Sequence, residues 1–167
     1  MPEPTLADVD ALAAAAHAGQ VDKTGAPYVT HVRAVAAGMA PFGTGLQMAG
    51  LLHDVLEDTD LTADDLLRAG VPSAVVATVR RLTRDEGTPY DVMVREVAAD
   101  HAAVLVKIAD NAHNSLASRS ALLDADDRAR LAGKYRAARQ VLWPAAGADD
   151  VRAIVSIVNP ALLDELA

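Results

Sequence analysis

The stretch Leu51-Leu52-His53-Asp54-Val55-Leu56-Glu57-Asp58 sets one imidazole and three carboxylates among apolar residues. On an α-helix these offsets put His53 with Glu57, and Asp54 with Asp58, one turn apart on neighbouring faces. Such a helix buries Leu51, Leu52, Val55 and Leu56 on one side and presents the polar groups on the other. Carboxylates gathered this closely repel one another unless protons or a cation neutralise them. Any fold open to this chain must therefore answer that charge, and a bound metal ion is the first candidate.

Composition narrows the fold that can do so. The 167 residues suffice for one domain with a core, and a single domain over residues 1–167 is expected. Apolar residues make up 51% of the chain but aromatics only 3%, so Ala, Leu and Val must do most of the packing. Ala and Leu favour helices, and the fold class predicted is all-α, a compact multi-helix bundle. With no cysteine, disulfides, thiolate metal sites and Cys nucleophiles are excluded. A formal charge of −8 argues against a nucleic-acid partner but is compatible with a small phosphorylated one if cations gather locally. The start, Met1-Pro2-Glu3-Pro4, lacks the basic and apolar regions of a signal peptide, and no run of about 18 apolar residues suggests a membrane span. A cytoplasmic protein is expected, with Ala/Leu/Val faces that could serve a homodimer contact.

Helical periodicity and punctuation divide the chain. A helix is predicted over Leu6 to Ala18 with Thr5 as N-cap and Gly19 as its stop, followed by a loop through Pro27. The next helix, Tyr28 to Met39, carries His31, and the one after a Pro/Gly break runs from Leu46 to Glu57. Further helices are expected after the Thr62 cap, over Pro72 to Leu82, Tyr90 to Ala98, Ala102 to His113 and Asp126 to Trp143, the last ending at Pro144. Short packing helices near Asp149 to Ile157 and Pro160 to Leu166 complete the chain. Ala103-Val104-Leu105-Val106 alone could be a buried strand, but the residues from Lys107 to Asn114 continue it best as helix.

Adjacent helical residues point about 100° apart, so His53 and Asp54 share an ion only at a cleft between helices. Other helices must then add ligands, and the best candidates are His31, within an apolar helix, and Asp110, after Val104-Leu105-Val106-Lys107-Ile108-Ala109. Two His nitrogens with two carboxylate oxygens suit Mn²⁺, Fe²⁺ or Zn²⁺ better than Mg²⁺. The zinc-protease pattern His-Glu-x-x-His is absent, since Asp54 follows His53. His17, His101 and His113 are read as structural or surface residues, and Tyr90 and Trp143 as packing.

Three blocks extend this pattern. Lys23-Thr24-Gly25-Ala26-Pro27-Tyr28-Val29-Thr30-His31, Leu51 through Thr59, and Val106-Lys107-Ile108-Ala109-Asp110-Asn111-Ala112-His113-Asn114 together resemble the signatures of HD-domain phosphohydrolases of the RelA/SpoT alarmone-hydrolase branch, which includes stand-alone small hydrolases. The resemblance runs from about Ala11 to Asn114, more weakly to Tyr135. It implies that His31, His53, Asp54 and Asp110 hold a divalent metal, Mn²⁺ being the expected ion, and that Glu57 and Asp58 orient or deprotonate the attacking water. It also implies nucleotide contacts by Lys23, Asn114 and Tyr135. The reaction implied removes the 3′-pyrophosphate of a guanosine or adenosine tetra- or pentaphosphate. Arg80, Arg81 and Arg84 are candidates to neutralise phosphate charge, which an acidic site would otherwise repel.

One position departs from the family. Where many guanosine-alarmone hydrolases carry a basic pair, this chain has Asp22-Lys23, which leaves adenine-containing substrates as open as guanine ones. Chain length leads us to expect a hydrolase domain without a synthetase region. The alternatives are a nucleotide phosphatase of 5′-nucleotidase type and a non-catalytic nucleotide-binding module.

Overall fold

The computed structural model describes residues 3–167. Eleven α-helices and two 3₁₀ segments account for the regular structure among them, and the one β feature is an isolated bridge between Val21 and Pro27. The all-α expectation holds. The first helices are α1 (Leu6–Ala16), α2 (Val29–Gly38), α3 (Thr44–Leu52) and α4 (Val55–Asp58). Then come α5 (Ala63–Arg68), α6 (Ser73–Leu82), α7 (Tyr90–Val97) and α8 (His101–Asn114). Last are α9 (Ala117–Ser120), α10 (Ala125–Ala146) and α11 (Ala148–Val158), with 3₁₀ segments at Ala40–Phe42 and Pro160–Leu166.

Local chemistry sets these boundaries. Thr5 and Thr62 close capping boxes with Asp8 and Asp65, so each start satisfies two otherwise orphaned amides. Gly19 ends the α1 region at φ +77°, a backbone conformation that other residues rarely adopt. In α8, every residue from Ala103 to Ala112 is buried, which explains why its sequence lacks amphipathic alternation. It is the central helix, packed by α2, α3, α6, α7, α10 and α11.

Two expectations are corrected. Pro144 does not end its helix, because α10 continues to Ala146. The amide it lacks would have served the carbonyl of Gln140, an exposed residue whose carbonyl can turn to water. More important, the helix predicted over Leu46 to Glu57 is interrupted at His53-Asp54, between α3 and α4. Both residues keep right-handed dihedrals, but the ring of His53 takes the Gly50 carbonyl at 2.8 Å. In an unbroken helix that carbonyl belongs to the Asp54 amide.

Gly50 sits where α3 crosses α2. A Cβ at this position would lie 2.8 Å from the Ala36 Cα and 2.9 Å from its amide nitrogen. Only a glycine lets the two backbones approach so closely. That approach brings His31 on α2 against His53 at the end of α3, their ring centroids 5.2 Å apart.

Candidate metal centre

His31 and His53 are buried, and both turn Nε2 toward the same two carboxylates. The His31 Nε2 lies 3.6 Å from Asp54 Oδ2 and 3.2 Å from Asp110 Oδ1. For His53 Nε2 the corresponding separations are 3.0 and 3.7 Å. Bonds of about 2.0–2.2 Å to one ion put ligand atoms roughly 3 Å apart, so the spacing fits a shared cation. The His31, His53 and Asp54 donor atoms all fall within 4.8 Å of one another.

A second observation supports the fit. Because a carbonyl oxygen can only accept, His53 donates its Nδ1–H to Gly50, which leaves Nε2 as the ring nitrogen that can bind a metal once its own proton is displaced. That Nε2 is fully buried and has no hydrogen-bond partner among the described residues. Buried polar atoms are seldom left so, and a divalent ion would give this one a partner.

His31 is held in a similar way. Its Nδ1 is 2.8 Å from Nδ1 of His113. If His31 Nε2 is a ligand, Nδ1 carries the proton and His113 accepts it. Burial first, then His31 and Arg119, pushes the His113 pKa down to about 4, so it is a neutral acceptor at ordinary pH. His113, expected to be a structural or surface residue, thus has a specific structural place: it sits behind a candidate ligand and can orient it. Its spacing of three residues from Asp110 along α8 was the available signal.

Charge at the centre is balanced by protons and by Lys107. Burial opposes the His53 imidazolium, but Asp54 and Asp110 outweigh it and raise its pKa to about 10. Burial likewise opposes the Asp54 carboxylate, yet His53 brings its pKa to about 2. Asp110 is held well below the carboxylate range despite burial, chiefly by the Lys107 ammonium, which donates to its Oδ2 at 2.8 Å. Asn114 donates to Asp110 Oδ1 at 2.7 Å, and the Tyr28 hydroxyl to Asp54 Oδ2 at 2.6 Å. A divalent ion bound here would displace the His53 Nε2 proton, so its binding would be coupled to pH.

The centre opens into a cleft of about 180 Å³ bordered by Asp54, Asp110, Glu57 and Asp58 together with Arg84, Lys107 and Lys134. Glu57 accepts the Arg84 backbone N–H on Oε1 at 2.8 Å, which fixes the carboxylate at the rim. The Asp58 carboxyl is raised by desolvation, then by the charges of Asp54 and Glu57. Asn114 and Tyr135 also border the cleft, and the Lys23 ammonium lies 3.5 Å from the Tyr135 hydroxyl. Of the basic trio, only Arg84 is a lining residue; Arg80 and Arg81 are exposed outside the cleft.

Lys107, Lys134 and Tyr90 were not singled out as site residues. Tyr90, read as packing, lines the cleft with the Lys134 ammonium 4.0 Å from its ring centroid. A lysine inside the apolar run of α8 was the one sequence signal, since a buried ammonium requires an anionic partner.

The departure at Asp22 also finds its partner. Asp22 Oδ2 accepts from Arg119 on α9 at 2.7 Å, and both side chains are nearly buried. Its Oδ1 accepts from the Thr24 amide and hydroxyl and from the Ala26 amide. Desolvation is the largest influence on this carboxyl and raises it, but these donors and Arg119 together leave its pKa lowered. The carboxylate thus stabilises the fold above its unfolded pKa of about 3.9, and that contribution fades as pH falls through the folded value. Asp22→Asn is expected to lower stability by roughly 1.5–3 kcal/mol at neutral pH. Urea denaturation at pH 7 and again at acid pH checks this: the gap between the two proteins should shrink on acidification.

Comparisons with known proteins agree with this geometry. No family model matches the chain. It is 36% identical over 108 residues to a GTP pyrophosphokinase of Streptomyces coelicolor, covering 59% of this chain and 13% of that protein. It is 33% identical over 129 residues to the bifunctional (p)ppGpp synthase/hydrolase SpoT of Escherichia coli, covering 70% and 18%. A guanosine-3′,5′-bis(diphosphate) 3′-pyrophosphohydrolase of Haemophilus influenzae is 37% identical over 129 residues, again 70% of this chain but 19% of the relative. The chain thus spans less than one fifth of the length of these relatives. A solved structure, described as a metazoan ortholog of SpoT that hydrolyzes ppGpp, superposes with a TM-score of 0.68 at 25% identity over 99% of this chain and 95% of that one. With a match in fold along nearly the whole of both chains and relatives that include SpoT and a protein named as a 3′-pyrophosphohydrolase, this chain is an HD-domain protein of the RelA/SpoT hydrolase type.

Proposed function

We propose that the protein hydrolyses the 3′-pyrophosphate of an alarmone nucleotide, (p)ppGpp or (p)ppApp, with one divalent ion, Mn²⁺, held by His31, His53, Asp54 and Asp110. The observation that carries this reading is the convergence of those four side chains on one point, with Glu57 and Asp58 on the same cleft. The solved relative that hydrolyzes ppGpp supports it, as do the relatives named as 3′-pyrophosphohydrolases.

When bound, the ion lowers the pKa of a water and polarises a phosphoryl oxygen. The chain's own residues supply the rest. Glu57, pinned by the Arg84 amide, and Asp58 beside it orient the attacking water and accept its proton. Arg84, Lys107 and Lys134 face the cleft and offset the charge that four carboxylates would otherwise set against a polyphosphate. Lys23, Asn114 and Tyr135 contact the nucleoside side. One water is consumed and the bond between the ribose 3′-oxygen and phosphorus breaks. The 3′-oxygen leaves with a proton, giving a free hydroxyl and pyrophosphate.

Incubating the protein and Mn²⁺ with guanosine and adenosine 3′-pyrophosphates and with ordinary 5′-mononucleotides tests this reading. Pyrophosphate released only from the former is expected. Orthophosphate released from mononucleotides instead would favour a 5′-nucleotidase, and cleavage of none would leave a binding module.

A further inference from the structure

Beyond Asn114 and Tyr135, which border the metal cleft, a second cavity of about 210 Å³ opens between the α8–α9 junction and α10. Its walls carry Lys23, Arg128, Arg136 and Arg139 against a single carboxylate, Glu165. That carboxylate is already taken: Arg139 grips it with two bonds of 2.8 Å. Arg128 spends two donors on the carbonyls of Ser120 and Leu123, at 3.3 and 2.9 Å, which fix its guanidinium but leave its charge unbalanced. Arg136 is exposed and makes no ion pair with any described residue. The Lys23 ammonium is depressed by burial and then by Arg119 and Lys134, as expected where cations are crowded.

Three unbalanced cations in one concavity are out of keeping with a chain of net charge −8. Scattered surface arginines would not share a cavity, nor would that cavity adjoin the cleft through Tyr135. Two guanidinium forks and an ammonium suit a phosphate or diphosphate, whose oxygens accept paired N–H donors. A nucleotide whose 3′-pyrophosphate lies at the metal centre has one other polyanionic group, its 5′ end.

Building on the proposed reaction, we propose that this cavity holds the 5′-phosphates of the substrate, with Arg128 and Arg136 as the residues that select nucleotides phosphorylated at both ends. The 3′ end is then read by the cleft and the 5′ end by the cavity, with Tyr135 and Asn114 between them.

The test compares kcat/KM for a 3′-pyrophosphorylated nucleoside with and without a 5′-diphosphate. In the Arg128→Gln/Arg136→Gln double variant the preference for the 5′-phosphorylated substrate is expected to fall at least 10-fold, mostly through KM. An unchanged preference, or an equal loss on both substrates, overturns the assignment. A second readout needs no turnover. Trp143 is the only tryptophan, shares a neighbouring cavity with Arg136, and has the Arg139 guanidinium 5.9 Å from its ring centroid. Titrating the full chain with inorganic pyrophosphate in metal-free buffer should change Trp143 emission saturably, with an apparent Kd at least 10-fold weaker in the double variant. If the wild-type protein cleaves no nucleotide, the proposed reaction fails while this titration still judges the cavity. A weakened Kd upholds an anion site there, and an unchanged one overturns it.

Discussion

Asp54→Ala is expected to lose the metal, whereas Glu57→Gln is expected to keep it and lose turnover. Asp54 Oδ2 lies 3.0 and 3.6 Å from the two imidazole Nε2 atoms, so its removal would take away a proposed ligand and the anion that opposes the histidines. Even partners behind metal ligands are worth about 10–100-fold in affinity, so a ligand lost from a four-residue set should weaken Mn²⁺ binding by more than about 100-fold. Glu57 lies on the cleft rim, and Asp54 and Asp110 remain to hold the ion without it. A general base at this position would be worth about 10²–10⁴-fold in kcat. Equilibrium dialysis with Mn²⁺ and steady-state kinetics separate the two, with circular dichroism confirming the fold. Metal retained in Asp54→Ala, His53→Ala and Asp110→Ala alike would remove the site as drawn.

The second large effect is remote from the chemistry. Gly→Ala in a helix ordinarily stabilises by roughly 0.5–1 kcal/mol, and Gly133→Ala in α10 should do so, since nothing lies within 4 Å of its added Cβ. Gly50→Ala should have the opposite sign. Its Cβ would meet backbone atoms of Ala36 and Val35 at 2.8 to 3.2 Å, and backbone in a packed helix cannot move aside as a side-chain tip can. Overpacking of this kind costs about 1–3 kcal/mol. Because the Gly50 carbonyl also fixes the His53 ring, weaker Mn²⁺ binding should accompany the lower Tm. Thermal melts of the two alanine variants beside the wild type check the sign. A neutral Gly50→Ala would show that the crossing of α2 and α3 is looser than described.

Much of this was legible in the sequence because it is local. The Thr5 and Thr62 caps, the Gly19 stop and the Ala/Leu/Val periodicity act within a turn or two, and the corresponding elements form. The blocks around His31, His53-Asp54 and Asp110 pointed to the residues that the fold brings together. The interruption at His53-Asp54 was hidden because the dihedrals stay helical and its cause is a ring nitrogen capturing a carbonyl. The roles of Lys134 and Tyr90 depend on how α10 and α7 pack beside α8, which no single helix encodes. The same holds for Asp22, whose partner Arg119 lies 97 residues away. Read alone, Asp22 looked like a missing cation; in the fold it is the anchor of one.

The most direct test of the central claim is the fate of ¹⁸O from labelled water during Mn²⁺-supported cleavage of guanosine tetraphosphate, with products quenched by chelator and weighed by mass spectrometry. Attack of water at phosphorus predicts one ¹⁸O in the released pyrophosphate and none in the 3′-hydroxyl of the remaining nucleotide. Label in orthophosphate alone, or no pyrophosphate formed at all, would contradict the account.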